Sequence, residues 1–296
     1  MAHPREIEDR TATLLRDRVK RVFRELPGAV AGEEEPVHQI RVAGRRLRVS
    51  LPLLARKGGG RQVKRALKVL RQLVGVVGRG RDLDVLVGLF EDRLGGLKVT
   101  SVEQRAFLTL LRRARGRVRA QVTENVLDLD IDGLRGALRQ LLDRGAADAT
   151  TVLARVLVVR EEESACILRA LSRIGERYRP DALHALRRHV RRLRYAAEVE
   201  DAVRGDDSRA PALCKRLQDG IGALHDHHVL ACWLDEQAKT AEARGNRLLA
   251  GAARREKRFF VAEGRRLHKS LLETKPADLA LRALQAMARG GPIAAA

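Results

Sequence analysis

One arrangement occurs twice in this chain. His38-x-x-Arg41-x-x-x-Arg45-Arg46-Leu47-Arg48 returns as His184-x-x-Arg187-x-x-x-Arg191-Arg192-Leu193-Arg194, 146 residues later. Three more pairs follow in the same order. Gly78-x-x-x-Asp82 matches Gly222-x-x-x-Asp226 at an offset of 144, and Arg112-Arg113-Ala114-Arg115 matches Arg254-Arg255-Glu256-Lys257 at 142. Leu141-Leu142-Asp143-Arg144-Gly145 resembles Ala286-Met287-Ala288-Arg289-Gly290 at 145. Preserved order at a nearly constant offset describes an internal duplication. Whatever one half folds into, the other must fold into as well. The expectation is one domain over residues 1–296, built from an N-terminal half (1–147) and a C-terminal half (148–296) packed about a pseudo-twofold axis.

Leu, Ala, Arg and Glu dominate, apolar residues recur at spacings of three and four, and alternating β-branched runs are scarce, so the fold class is all-α. Pro27-Gly28, Pro36, Gly58-Gly59-Gly60, Gly95-Gly96, Gly145, Pro180, Gly205, Pro211, Pro276 and Gly290-Gly291 punctuate the chain. They predict two homologous helical bundles of about six helices each, with a kink or an end near Leu51 imposed by Pro52.

The charge names the kind of partner. Of 296 residues 59 are Lys or Arg and 38 are Asp or Glu, a formal net charge of +21. Ten of the basic residues are Lys and the other 49 are Arg, whose planar fork of donors matches phosphate oxygens. Eight aromatic residues are too few for the stacking platforms of single-stranded nucleic-acid binders. The anion expected is therefore a phosphate compound without bases. No apolar run approaches the roughly 20 residues of a membrane span, and Met1 to Arg10 is too polar for a signal peptide. Cys166, Cys214 and Cys232 fit neither a disulfide framework nor a zinc site and read as small core residues, which points to a reducing, cytoplasmic compartment.

On a helix advancing about 100° per residue, Arg41, Arg45 and Arg48 lie within roughly 80° of His38, while Ile40, Ala43, Leu47, Leu51 and Leu54 lie opposite. The second copy sets His184, Arg187, Arg191 and Arg194 against Leu183, Leu186, Val190, Leu193 and Ala197. A cationic stripe of this kind is usually a solvated face. Here, however, no carboxylate occurs from Val37 through Leu54, and like charges four apart repel unless an anion neutralises them. Lys57, Arg61, Lys64, Lys68 and Arg71, spaced four, three, four and three apart, predict a second basic edge about 21 Å long on the next helix. Its counterpart around Arg204, Arg209, Lys215 and Arg216 is diluted by Asp201, Asp206 and Asp207. Arg46, Arg188 and Arg192 flank the stripes. Arg112, Arg113, Arg254 and Arg255 form further basic faces, which Glu256 and Glu263 would turn into ordinary paired surfaces.

The duplicated His-x-x-Arg-x-x-x-Arg-Arg-Leu-Arg helix followed by Gly-x-x-x-Asp resembles the CHAD family, the conserved-histidine α-helical domain. The resemblance covers almost the whole chain and is closest from His184 to Glu198. It implies two helical bundles around a basic cavity or groove that binds inorganic polyphosphate, with His38, Arg41, Arg45, Arg48, Lys57, Arg61, Lys64, Lys68, His184, Arg187, Arg191 and Arg194 as the binding residues. Gly44 and Pro52 are unusual within the first such helix, and Val49-Ser50 stands where the second copy has Tyr195-Ala196. The two histidines sit near helix N-termini, where they either meet the anion or cap a neighbouring loop.

His225-Asp226-His227-His228 has metal-ligand chemistry, but the first half keeps only the Asp in Arg81-Asp82-Leu83-Asp84. A structural Asp is the simpler reading. Glu33-Glu34-Glu35 reads as a loop before a helix, and Glu161-Glu162-Glu163 as a solvated helix turn. No phosphate loop, carboxylate cluster for Mg²⁺ or Glu-x-Glu-x-Lys segment is present. The sequence thus predicts a non-enzymatic polyphosphate-binding protein without cofactor, metal or membrane contact, acting in the cytoplasm or at polyphosphate granules. Non-specific nucleic-acid binding is the alternative, followed by a metal-dependent phosphohydrolase using His225 to His228.

Overall fold

A computed structural model of the chain describes residues 4–175 and 177–288. Gly290-Gly291 lies outside the described residues. Among the described residues there are ten helices: α1 (Pro4–Val30), α2 (Glu34–Leu54), α3 (Arg61–Gly95), α4 (Val102–Leu127), α5 (Ile131–Asp143), α6 (Ala149–Arg173), α7 (Pro180–Arg204), α8 (Ala210–Ala243), α9 (Arg247–Glu273) and α10 (Pro276–Ala288). Five precede residue 148 and five follow it, so the expectation of six per half is corrected. Helix lengths run 27, 21, 35, 26 and 13 residues in the first set and 25, 25, 34, 27 and 13 in the second.

Two features reduce the helix number. Pro27 lies inside α1, which continues to Val30. α3 runs unbroken through Gly75, Gly78, Gly80 and Gly88, because burying Val69, Leu70, Leu73, Val77, Leu86, Val87 and Phe90 outweighs about 1 kcal/mol per glycine. Elsewhere the punctuation holds. Gly205 ends α7 at φ 71°, and Pro180 opens it in the first turn. Ser101 and Gln104 form a reciprocal capping box on α4, while Asp130, Asp148 and Asn246 cap α5, α6 and α9 by accepting from Gly133, Thr151 and Leu249 backbone N–H groups.

Pro52 stops α2 two residues later, at Leu54. The carbonyls freed there are taken up from the other half: Arg155 Nη1 on α6 donates to Pro52, Leu53 and Ala55 oxygens at 3.3, 3.0 and 2.7 Å. Gly44 marks the close crossing of α2 on α3, since a Cβ there would stand 2.6 Å from Val74 Cγ2. Glu34 and Glu35 belong to the first turn of α2, where their charge suits the dipole, and are not in a loop.

Every residue assigned to the apolar faces of α2 and α7 is buried. The larger core runs through both sets of helices, from Leu15 and Leu47 to Leu193 and Ile221. A second core joins the far ends of α3 and α4 to α8 and α9 around Phe90, Phe107 and Phe260. Cys214 is a core residue, its thiol pushed up to about 12 by burial, whereas Cys166 is half-buried and Cys232 exposed. Among the described residues no helix is long and apolar enough to cross a membrane.

Candidate functional site

His38 and His184 are each the fifth residue of their helix, and the repeated motifs combine into one unit beside them. Arg41 lies across α3 at Gly78, its Nη1 3.4 Å from the Gly78 carbonyl oxygen and 2.8 Å from Asp82 Oδ1 one turn later. In the second copy Arg187 lies over Gly222, where a Cβ would be 3.3 Å from Nη2. Burial raises the Asp226 carboxyl above its ordinary range, with Arg187 opposing that rise and Asp82 reinforcing it. Asp82 thus pairs with Arg41 in contact, Asp226 acts on Arg187 only through its charge, and the two carboxyls are near enough to influence one another.

The rest of the stripe converges where α2 packs on α7. Burial, then the nearby charges of Arg41 and Arg191, hold the Arg45 guanidinium down to about 9. Burial also lowers Arg191, helped by Arg187, Arg41 and Arg48 and opposed by Tyr195. Arg48 is lowered by burial and by Arg71. Among the described residues no hydrogen bond or ion pair holds the guanidinium of Arg45, Arg48, Arg187 or Arg191. These are repelling cations in partly desolvated space, an arrangement that a polyanion relieves.

Other residues of the predicted set have partners. Arg194 and Arg46 both reach Glu198, at 3.3 and 3.0 Å, and Arg18 joins them at 3.0 Å. Glu198 is 14% exposed, so this triad ties α1, α2 and α7 together, and Arg46 and Arg194 flank the Tyr195 ring. Arg192 lies 2.5 Å from Glu163, which also meets His189 at 2.7 Å. Glu163 is 3% exposed and anchors α6 to α7, which corrects its reading as a solvated turn. Arg112 pairs with Glu91, Lys215 with Asp219 and Arg254 with Glu242. Glu256 turns inward to Arg93 and Gln104.

Arg61, Lys64, Lys68 and Arg71 form an exposed, unpaired edge along α3, whose Arg71 end meets Arg48. Lys57 is corrected: it lies in the turn before α3, so the helical edge begins at Arg61 and is about 15 Å long. Arg113, Arg188 and Arg255 are exposed and unpaired.

Each histidine has one neighbour the motif did not mark. His184 Nδ1 is 3.3 Å from His225 Nδ1, with ring centroids 4.5 Å apart. Burial, then Arg187 and His184, hold His225 down to about 4, and burial with Arg188 lowers His184. In the first half Arg81 stands in the position of His225, and burial followed by Arg81 lowers His38. His225, His227 and His228 point to different partners, His184, the Ala223 carbonyl and Cys232. Among the described residues no group of three or more His, Cys, Asp or Glu is placed to hold a metal ion.

Sequence reasoning missed Tyr195, Glu198, Glu163 and Arg81. The i,i+4 spacing of Arg194 and Glu198 was the available signal for the triad. Glu163 acts across 26 residues and left none.

The comparisons with known proteins agree on one fold. The solved CHAD domain of the plant Ricinus communis superposes with a TM-score of 0.63 at 18% identity, covering 90% of this chain and 91% of that one. PptA from Streptomyces chartreusis gives 0.62 at 15%, covering 90% and 99%. Two Mycobacterium tuberculosis proteins, MT2285 and Rv2226, both described as uncharacterized, are 28% identical over 222 residues, which is 71% of this chain. The chain spans 42% of the length of these curated relatives. The family description "CHAD domain" matches residues 13–235. An all-α chain whose paired His-x-x-Arg helices interlock with Gly-x-x-x-Asp helices, and whose sequence matches that description over three quarters of its length, belongs to the CHAD domain family.

Proposed function

We propose that this protein binds inorganic polyphosphate without transforming it, in the cleft where α2 meets α7. CHAD domains are associated in general with polyphosphate and triphosphate binding. The observation that carries the reading is the convergence of Arg45, Arg48, Arg187 and Arg191 from two helices with no carboxylate in ion-pair contact with any of them among the described residues. Polyphosphate carries about one charge per phosphate and offers no bases, so affinity comes from many charge-assisted contacts and counterion release. The α3 edge from Arg61 to Arg71 extends the same path outward. The core lysines and arginines of this set are Arg41, Arg45, Arg48, Arg61, Lys64, Lys68, Arg187 and Arg191. Arg46 and Arg194 act through Glu198 to hold the two helices together. The same reading places the protein with polyphosphate in the cytoplasm or at its granules.

The test is binding of long-chain polyphosphate by the full chain in physiological salt, with duplex DNA and single-stranded RNA as competitors at equal phosphate concentration. Binding that survives both competitors and is lost in Arg45→Glu/Arg191→Glu supports the proposal. Equal displacement by nucleic acid points instead to unselective use of the +21 charge. Release of orthophosphate above a heat-killed control, with Mg²⁺ or Mn²⁺ present, overturns the non-enzymatic assignment.

A further inference from the structure

Arg177 and Tyr178, just before α7, face α9 across a cavity of about 750 Å³ that Arg265, His268, Lys269 and Leu272 also line. That volume falls in the range of small-molecule sites. The last four residues follow spacings of three, one and three, so a single face of α9 supplies one wall. Neither an ion pair nor a hydrogen bond engages Arg177, Arg265 or Lys269 among the described residues.

Two details mark the cavity as built. His268 is 2% exposed, yet its Nε2 has no hydrogen-bond partner, a condition that costs free energy until a ligand atom meets it. Tyr178 is fixed opposite: its hydroxyl donates to the Leu224 carbonyl oxygen at 3.3 Å, and its ring lies 5.6 Å from the imidazole of His268. Gly264 lets it sit there, because a Cβ at that position would come within 3.1 Å of the hydroxyl oxygen. None of these lining residues belongs to the duplicated motifs, and the α9 wall lies beyond the matched family region.

We propose that this cavity is a second anion site, taking a nucleotide-sized organic phosphate. Phosphate oxygens meet Arg177, Arg265 and Lys269, the uncharged part covers Tyr178 and Leu272, and one polar atom bonds His268 Nε2. A bare polyphosphate chain has nothing to place against Tyr178 and Leu272, whereas a nucleoside phosphate has both parts.

Calorimetric titration of the full chain with ATP, and with tripolyphosphate as the base-free control, tests the assignment. Arg265 and Lys269 are exposed, so Arg265→Glu/Lys269→Glu leaves folding intact. ATP is expected to bind the Arg45→Glu/Arg191→Glu variant, in which the α2–α7 site is removed, more tightly than tripolyphosphate does. Arg265→Glu/Lys269→Glu weakens ATP by about 100-fold, roughly tenfold for each charge-assisted contact, and retains long-chain polyphosphate binding. His268→Leu, which keeps all three cations, weakens ATP about tenfold. Arg45→Glu/Arg191→Glu spares ATP. Unchanged ATP affinity in Arg265→Glu/Lys269→Glu, loss of ATP binding in Arg45→Glu/Arg191→Glu, or tripolyphosphate matching ATP in that second variant would each overturn the proposal.

Discussion

Replacing Arg45 by Met separates the function of the cleft from the stability of the fold. The Arg45 guanidinium is held at about 9 against an ordinary 12.5. At about 1.36 kcal/mol per pH unit this shift sets a ceiling of about 5 kcal/mol on the destabilisation. At pH 7 the guanidinium is charged in both the folded and the unfolded chain, so the penalty of burying it is fully present there. A guanidinium gathers water or an anion before it releases its proton, so the realised cost is about 1–3 kcal/mol. Met keeps the apolar stem and removes the charge. In the absence of polyphosphate Arg45→Met is therefore expected to melt higher, by about 2–4 °C per kcal/mol for a chain of this size. Polyphosphate at about 100 times its Kd adds about 2.7 kcal/mol to the wild type. Loss of one charge-assisted contact weakens the variant's affinity about tenfold or more, which cuts that gain to about half. Differential scanning calorimetry with and without polyphosphate in the same buffer reads both effects. A variant that melts lower without ligand, or that keeps the full ligand shift, refutes the reasoning.

Three further outcomes follow from the same contacts. His225 is held at about 4 against 6.5, so its contribution to stability is complete above pH 6.5 and is lost as pH falls toward 4. After screening by solvent this amounts to about 1–2 kcal/mol, read as a drop in the urea midpoint from pH 7.5 to 5 that His225→Gln diminishes. Glu198→Gln leaves Arg18, Arg46 and Arg194 without their shared carboxylate and is expected to cost about 3 kcal/mol in denaturant unfolding, whereas loss of an exposed pair such as Lys215–Asp219 costs under about 1 kcal/mol. If Arg61, Lys64, Lys68 and Arg71 extend the four-arginine cleft, log K falls with log salt at a slope of about −5 to −6, and Lys64→Ala or Lys68→Ala each reduces it by about 0.7. A slope near −3 that neither alanine moves would exclude the α3 edge.

Helical periodicity located the buried faces of α2 and α7 because a surface helix must repeat its apolar positions every three or four residues, whatever its neighbours do. The motifs were legible for a related reason: Arg41 lies across α3 against the Gly78 carbonyl oxygen and pairs with Asp82 one turn on, so Arg41, Gly78 and Asp82 leave a joint signature. Of the helix ends set by local chemistry, Gly205 and Pro180 were read from the sequence, whereas the caps at Ser101 and Asp148 were not. Lys57 was misplaced because Gly58-Gly59-Gly60 ends the helical register that its spacing imitates. Which arginines are free was not legible, since Glu198 reaches back to Arg18 and Arg46 across 180 and 152 residues. Periodicity within one helix carries no trace of such a pairing.

That sorting is what distinguishes the arginines of this chain from one another. Glu198, Glu163, Glu256 and Asp84 are the partners of Arg18, Arg46, Arg194, Arg192, Arg93 and Arg119, and each of these pairs except Arg194–Glu198 joins different helices. Three of the four carboxylates are buried and the fourth, Glu198, is 14% exposed, so removing one leaves charges stranded in low dielectric and loosens the packing of the bundle. Arg45, Arg48, Arg187 and Arg191 have no such ion pair among the described residues, although Arg191 lies near enough to Arg45, and Arg48 and Arg187 near enough to Arg191, to lower the guanidinium they face. An acid placed among them would stabilise the empty protein and occupy the donors that a phosphate chain needs. Glu163, Glu256 and Asp84 thus sit where helices are held together, and none of them is in ion-pair contact with the four arginines, so that on the proposed reading the ligand completes an electrostatic balance the polypeptide leaves open.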